Sequence, residues 1–338
     1  MRKLFWIAAV LALVVPFAAF AQETMELIEL PEVDPLAVSG DIVSAGSSTV
    51  YPVTERMADL FVQEGFPGTI TVDSVGTGAG FERFCVNAET DISNASRPIR
   101  PAELDSCRAN GREPLEFFVA IDALAVVVSQ ENDFLESLTL EELAAVFSGE
   151  AALWSDIDPS YPAEAIQLFS PGTDSGTFDY FVEEVFDQDE TLILNAPGIQ
   201  LSEDDNVLVQ GVLGSPYAIG YFGFAYYQEN LDTLRAVAID GVEPNEETGA
   251  SGEYPLSRPL FIYTTAEIMN EKPQVAAFVN FYIANVGEQL GPNADQIGYI
   301  AVPVDRQNVD RAVWLMAMGM EDMIPEEVLE MMAAEAGE

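Results

Sequence analysis

Three short stretches of the chain carry the residue types that hold a small oxyanion. Gly46-Ser47-Ser48-Thr49, Gly76-Thr77-Gly78-Ala79-Gly80 and Ser170–Thr177 (SPGTDSGT) each set glycine beside hydroxyl side chains. Each follows a short apolar run that reads as a strand: Ile42–Ala45, Thr69–Val75 and Ile166–Phe169. Each also precedes a stretch of helical periodicity. Phe178, Phe181, Val182, Val185 and Phe186 recur at i, i+3, i+4, i+7 and i+8, one apolar stripe of a helix. Met57, Leu60 and Phe61 mark the helix after the first loop, and a helix begins near Phe81 after the second. A helix N-terminus offers unpaired N–H groups and the positive end of the helix dipole. Hydroxyls add donors, and glycine lets the backbone approach an anion closely. One such loop is also what an ordinary N-cap looks like, because Ser, Thr and Asp are the usual capping residues. Three in one chain favour convergence on a single anion.

Composition removes most competing chemistries. The 338 residues include no histidine, which excludes Ser-His and Cys-His nucleophiles, phosphohistidine chemistry and nearly all zinc sites. No G-x-x-x-x-G-K-[ST] loop is present, so triphosphate hydrolysis is not expected. Three adjacent acids, Glu203, Asp204 and Asp205, precede an apolar helix face. They suit the first turn of a helix better than a metal, because adjacent residues do not all face one cation. No metal or cofactor is therefore expected. The formal charge is −44, which argues against nucleic acid as a partner and fits a protein kept soluble in salty media. An anion site survives in such a chain because exposed charges are screened over about 8 Å at physiological salt. Three helix ends at ~0.5 charge each and one Arg supply about +2.5 locally, enough to match a dianion.

The N-terminus reads as a cleaved leader. Arg2 and Lys3 precede an apolar run to Phe20, and Ala19-Phe20-Ala21 fits a cleavage site after Ala21. Residues 22–38, with Pro31, Pro35 and several acids, read as a flexible spacer. In an exported protein two cysteines suggest one disulfide, here Cys85 with Cys107.

From Ser39 to about Ser129, strands and helices alternate, which indicates an α/β layer with a mostly parallel sheet. Thr90–Pro101 (TDISNASRPIRP) is polar, and its Ser93, Asn94, Ser96 and Arg97 are candidate contacts, whereas Arg100 reads as a surface charge. Glu116–Ser129 is a long apolar run with Asp122 inside it, and a buried acid there needs partners. Trp154 reads as packing. A second α/β region runs from Ala163 to about Tyr254, and Leu256–Thr265 (LSRPLFIYTT) is a second apolar crossing run. A helix over Pro273–Val286, a late strand over Gln296–Pro303 and a Met-rich helix pair over Val313–Ala334 complete the chain.

The stretches AGSSTVYP, GTGAGFERFC, DISNASRPI, SPGTDSGTFDYF and SEDDNVLVQGV occur in the order found in the periplasmic phosphate-binding proteins of phosphate ABC transporters. The chain resembles that family, the PstS type and its SphX-like branch, from roughly Ser39 to Val304. The resemblance implies a type II periplasmic binding protein: two α/β lobes, two crossing strands as hinge, and the ligand in the cleft between. Lobe one is then 39–121 with 255–338, and lobe two 122–254. Carried over by motif, the phosphate contacts fall on Ser48, Thr49 and Val50, on Thr77 and Gly78, and on Ser175, Gly176 and Thr177. The chain departs from the family at two places. Many members carry an acid where this chain has Arg97, and an Arg where it has Pro171. The exchange implies one guanidinium reaching the same anion from the opposite lobe. It also removes the acid that in the family accepts the proton of phosphate and excludes sulfate; Asp174 is the candidate replacement.

The expected protein is a monomeric, periplasmic solute-binding protein that captures inorganic phosphate and delivers it to an ABC-type permease. Three alternatives stay open: a binding protein for another tetrahedral oxyanion (sulfate, molybdate or arsenate), an exported phosphatase on the same scaffold, and a non-transport role as a phosphate sensor or surface adhesin.

Overall fold

The computed structural model describes residues 25–173, 175–290 and 298–335. The expected leader and its cleavage site, residues 22–24 of the spacer, Asp174 and the first two residues of the late strand lie outside the described residues. The strands of the main sheet are β1 Ile42–Gly46, β2 Ile70–Ser74, β3 Ile92–Ala95, β4 Leu115–Ser129, β5 Gln167–Pro171, β6 Gln200–Ser202, β7 Ala218–Gly223, β8 Leu234–Ala236 and β9 Ser257–Thr264. The helices used below are α1 Tyr51–Gln63, α2 Thr77–Phe81, α3 Pro101–Ala109, α4 Leu140–Phe147, α5 Gly176–Phe186, α6 Asp205–Leu213, α7 Pro273–Leu290, α8 Val304–Ala317 and α9 Glu326–Glu335.

The nine strands form one curled sheet in the order β2-β1-β3-β9-β4-β7-β5-β6, with β8 also on β4. Two lobes hang on its middle. β1 pairs in parallel with β2 and β3, and β5 in parallel with β6 and β7. The long strand β4 joins them. It runs antiparallel to β9 over Leu115–Ala123 and to β7 over Leu124–Val128. From Phe117 to Ser129 every residue of β4 is buried, which is why the run lacks the polar alternation of a surface strand. Phe61, Phe117, Phe278, Tyr282 and Trp314 belong to a core in lobe one, and Leu124, Trp154, Phe181 and Tyr221 to one in lobe two. A third cluster, with Phe84, Phe118, Ala125, Phe169 and Phe222, packs across the join.

Local differences from the sequence reading have physical causes. The helix expected near Phe81 starts at Thr77, inside the glycine-rich loop, and continues as a π-helical turn over Glu82–Val86. Gly80 permits this, because a Cβ there would meet the Gly46 Cα at 2.6 Å. Residues 25–38 are fastened along lobe one. The Ile28 N–H donates to Asn308 Oδ1 (2.8 Å), and its carbonyl accepts from Arg311 Nη1 (2.7 Å). The Pro31 carbonyl accepts from Asn280 Nδ2 (3.2 Å), and Ile28 is buried. Paired backbone groups, buried Ile28 and Pro35, and Met25, Leu30, Val33 and Val38 packed on the lobe-one core hold a segment with the composition of a linker. The expected late strand reduces to a bridge between Ile300 and Ile121. The C-terminal helix pair begins at Val304 rather than Val313 and breaks before Pro325. Trp154 is buried and donates Nε1–H to the Tyr217 carbonyl at 3.0 Å, a packing role.

Cys85 and Cys107 form a disulfide between the π-turn after α2 and α3, both residues being buried. It closes a separation of 22 residues. By the chain-entropy account, replacing both cysteines with serine is expected to cost about 3 kcal/mol. A lower urea midpoint, with an m value that rises as the unrestrained unfolded chain exposes more surface, is the readout; an unchanged midpoint would show that the bridge adds no stability.

Candidate functional site

Each of the three loops lies at the C-terminal end of a parallel strand, where the following helix begins. In lobe one β1 sits between β2 and β3, so its end is a switch point with a crevice beside it. The first two loops are drawn together by the Gly46 carbonyl, which accepts from the N–H of Val75 (2.9 Å) and Gly76 (2.8 Å). A Cβ on Gly46 would fall 2.0 Å from the Asn94 carbonyl oxygen. Gly76 has φ 84°, in the left-handed region that favours glycine. Asn94 is buried, and its Oδ1 accepts from Ser44 Oγ (3.1 Å) and Thr54 Oγ1 (3.2 Å), which fastens α1 to β1. Thr77 Oγ1 accepts from the Ser96 N–H at 3.2 Å and so ties the second loop to the turn carrying Arg97.

The loops meet at a cavity of about 570 Å³. Ser47, Ser48 and Thr49 reach it from the first loop, Gly76, Thr77 and Gly78 from the second, and Gly176 from the third. Of the residues expected at the site, Ser48, Thr49, Thr77, Gly78, Arg97 and Gly176 are therefore brought to one cavity. Val50 is wholly buried behind Thr49. Ser175 and Thr177 flank Gly176, with Ser175 Oγ accepting from the Thr177 N–H at 3.2 Å. Asp174 lies outside the described residues. Ser96 lines the cavity, whereas Ser93 and Asn94 are buried beneath it.

The cavity also contains a residue that motif reasoning did not select. Arg258 of β9 stands directly across from Asp122 of β4 in the ladder. Its Nε donates to Asp122 Oδ2 (3.1 Å), Nη2 to Thr49 Oγ1 (2.6 Å) and Nη1 to Glu183 Oε2 (3.1 Å). The guanidinium lies 3.7 Å from the centre of the Tyr180 ring. Burial pulls the guanidinium toward losing its charge; Asp122, Tyr180 and Glu183 overrule it and hold Arg258 above its ordinary value. One signal in the sequence pointed here: each apolar crossing run carries a charge within it, Asp122 midway along one and Arg258 near the start of the other, of opposite sign.

Arg97 lines the same cavity, with its fork taken by Glu103: Nη1 and Nη2 each lie 2.8 Å from a carboxylate oxygen. Burial pushes the Glu103 carboxyl up, but Arg97 and the Arg100 N–H outweigh it and hold it below its usual range. Arg100 is exposed, as expected for a surface charge, yet it too lines the cavity, and it forms no ion pair among the described residues. The α5 wall presents acids instead: Asp179, Glu183 and Glu184. Burial, and then Glu190, pushes the Asp179 carboxyl up; burial, and then Glu183, does the same to Glu184. Asp204 caps α6 by accepting from the Asn206 N–H at 3.0 Å, the helix-start role expected of that acid. Among the described residues no cluster of three or more His, Cys, Asp or Glu could hold a metal.

Residues 34–286 match the family model of the PBP superfamily domain. The chain is 40% identical to protein SphX of Synechocystis over 294 residues, covering 84% of this chain and 85% of that protein. It is 35% identical to the phosphate-binding protein PstS of Staphylococcus saprophyticus, covering 78% and 81% respectively. The crystal structure of a possible phosphate binding protein from Planctomyces limnophilus superposes with a TM-score of 0.75 at 40% identity, over 83% of this chain and 99% of that one. PstS from Borrelia burgdorferi, at 21% identity and a TM-score of 0.58, shares the fold.

The Asp122–Arg258 pair is the test of this geometry. Removing one member of a buried pair leaves an uncompensated charge, so Asp122→Asn is expected to cost about 3 kcal/mol of stability. Urea denaturation in phosphate-free buffer measures it, and a loss under about 1 kcal/mol, the range of an exposed pair, would contradict the buried pairing described here.

Proposed function

This chain belongs to the SphX and PstS phosphate-binding proteins of the PBP superfamily, and on that premise we propose that it captures inorganic phosphate between its lobes and delivers it to the permease of an ABC transporter. It is a solute-binding protein rather than an enzyme. The observation that carries the reading is the convergence of three helix N-termini and Arg258 on one cavity. In the proposed complex, backbone N–H groups and hydroxyls of Ser48, Thr49, Thr77 and Gly78 meet one side of the anion. Those of Ser175, Gly176 and Thr177 meet the other, while the Val50 amide serves through the backbone. Arg258 supplies the buried charge from the junction of the lobes, and Arg97 adds field from the wall while Glu103 holds its fork.

The cavity is many times the volume of a tetrahedral oxyanion, so donors on both walls engage one ion together only if the lobes approach. Residues 39–121 with 255–338, and 122–254, are the proposed moving bodies. We also assign export, by the leader ending at Ala21, and action as a monomer. Asp174 is kept, from the motif, as the proposed replacement for the acid that accepts the proton of a protonated oxyanion. None of the helices among the described residues is long and apolar enough to cross a membrane.

Calorimetry on protein stripped of phosphate tests the reading. Phosphate and arsenate are expected to bind one per chain, and sulfate more weakly. At 100-fold the Kd, phosphate should raise stability by about 2.7 kcal/mol. Arg258→Lys should recover only part of the affinity, since an ammonium cannot reproduce the fork. The double variant Arg258→Met/Asp122→Asn removes both buried charges together and should stay folded while losing roughly 30-fold or more in affinity. Arg97→Ala should lose less. A melting temperature indifferent to millimolar phosphate would sink phosphate capture, and wild-type affinity in the folded double variant would place the anion elsewhere.

A further inference from the structure

Around Arg258 the local charge opposes an incoming anion. One guanidinium faces two carboxylates, Asp122 and Glu183. Asp122 cannot leave: its side chain is 8% exposed, and it sits in the middle of a strand directly across from Arg258. Glu183 is placed differently. Its side chain is 49% exposed, it projects from α5 onto the cavity wall, and its carboxylate accepts from Arg258 Nη1 at 3.1 Å. Nε and Nη2 of the same guanidinium are engaged by Asp122 and Thr49, and the Tyr180 ring covers one face. The Nη1 edge is therefore the side of the buried cation turned to the cavity, and a carboxylate on a flexible arm already holds it.

We propose that Glu183 is a specificity-determining residue that acts as a tethered competitor, so that an anion gains the Nη1 edge of Arg258 only by displacing the Glu183 carboxylate. The inference rests on the phosphate reading above and adds a charge threshold to it. A dianionic oxyanion brings more charge than Glu183 supplied, and its further oxygens accept from the loop N–H groups and hydroxyls. A monovalent anion such as chloride exchanges one charge for one and makes no array of directed hydrogen bonds. Free in solution, it also competes against a group held at high effective concentration. Once displaced, Glu183 returns to water at little cost because it is already half exposed. Neighbouring Asp179 and Glu184 line the same cavity and form no hydrogen bond to Arg258, so the competitor role falls on one residue.

Calorimetric titration of phosphate into the wild type, Glu183→Gln, Glu183→Ala and Asp179→Asn tests this, in potassium gluconate and in potassium chloride at equal ionic strength. Unchanged melting temperatures without phosphate establish that the variants are folded. Both Glu183 variants are expected to bind phosphate roughly tenfold tighter in gluconate, the effect of removing a half-exposed like charge. Chloride should then weaken phosphate binding by the Glu183 variants and leave the wild type unaffected. A Kd for Glu183→Gln equal to or weaker than wild type would overturn the inference. So would equal gains from Asp179→Asn, which would signal a general field, or equal chloride competition in every variant. Absence of phosphate binding in the wild type and all variants would be the distinct failure of the phosphate reading itself.

Discussion

The contact between Asp122 and Arg258 is the constraint around which the cleft is built. Both residues lie in strands packed on either side by apolar groups, where a single charge would be costly. As a cross-strand pair they are tolerated, and the pairing fixes where the guanidinium stands. It stands where β4 passes from one lobe to the other. One side chain there touches Thr49 from lobe one and Tyr180 and Glu183 from lobe two. A buried ion pair is weak evidence for stability, but it is a good way to set a position. Here it sets the position of a cation relative to three helix ends.

An acidic protein can hold an anion because local charges, not the total, decide the field in the cleft. The formal charge of −44 is spread over the whole chain and screened beyond about 8 Å. Within that distance the cavity sees dipoles and fixed partners. The lobe-one wall carries two helix starts with Arg97 and Arg100, and the α5 wall carries one helix start with Asp179, Glu183 and Glu184. The walls are opposite in character. An anion held between them is met by charge on one side and by N–H groups threaded among acids on the other. Selectivity among anions then depends on these acids as much as on the donors.

Joining the lobes through one sheet limits how they can move. The third apolar cluster crosses the junction and resists sliding. The ladder is more permissive at β9 beside the cavity. Pro259 contributes no N–H, and the β9–β4 register shifts between Leu260 and Phe261. Over Ser257–Leu260 the strand pairs with β4 alone, and its pairing with β3 begins at Phe261. That stretch is an edge strand, the setting in which a proline is compatible with a sheet. That stretch is where the proposed approach of the lobes would bend the sheet without breaking either core.

Much of this was legible in the residues. Glycine and hydroxyl residues between a strand and a helix stripe marked the three loops, because backbone sterics and capping are local. The apolar runs around Asp122 and Arg258 marked the crossing strands for the same reason. Two cysteines without a histidine indicated a disulfide rather than a catalyst. Other features depended on partners far along the chain. Whether Arg97 was available to an anion depended on Glu103 reaching back with both oxygens, and nothing in the spacing of the two required that. Residues 25–38 have the composition of a linker and are fastened because Asn280, Asn308 and Arg311 and the apolar surface of the lobe-one core lie beneath them. The sequence by itself determined which segments could present donors, since that follows from residue type and local geometry. Which charge those donors would surround was decided by the tertiary structure, because Asp122 and Arg258 are 136 residues apart and meet only when the two crossing strands pair.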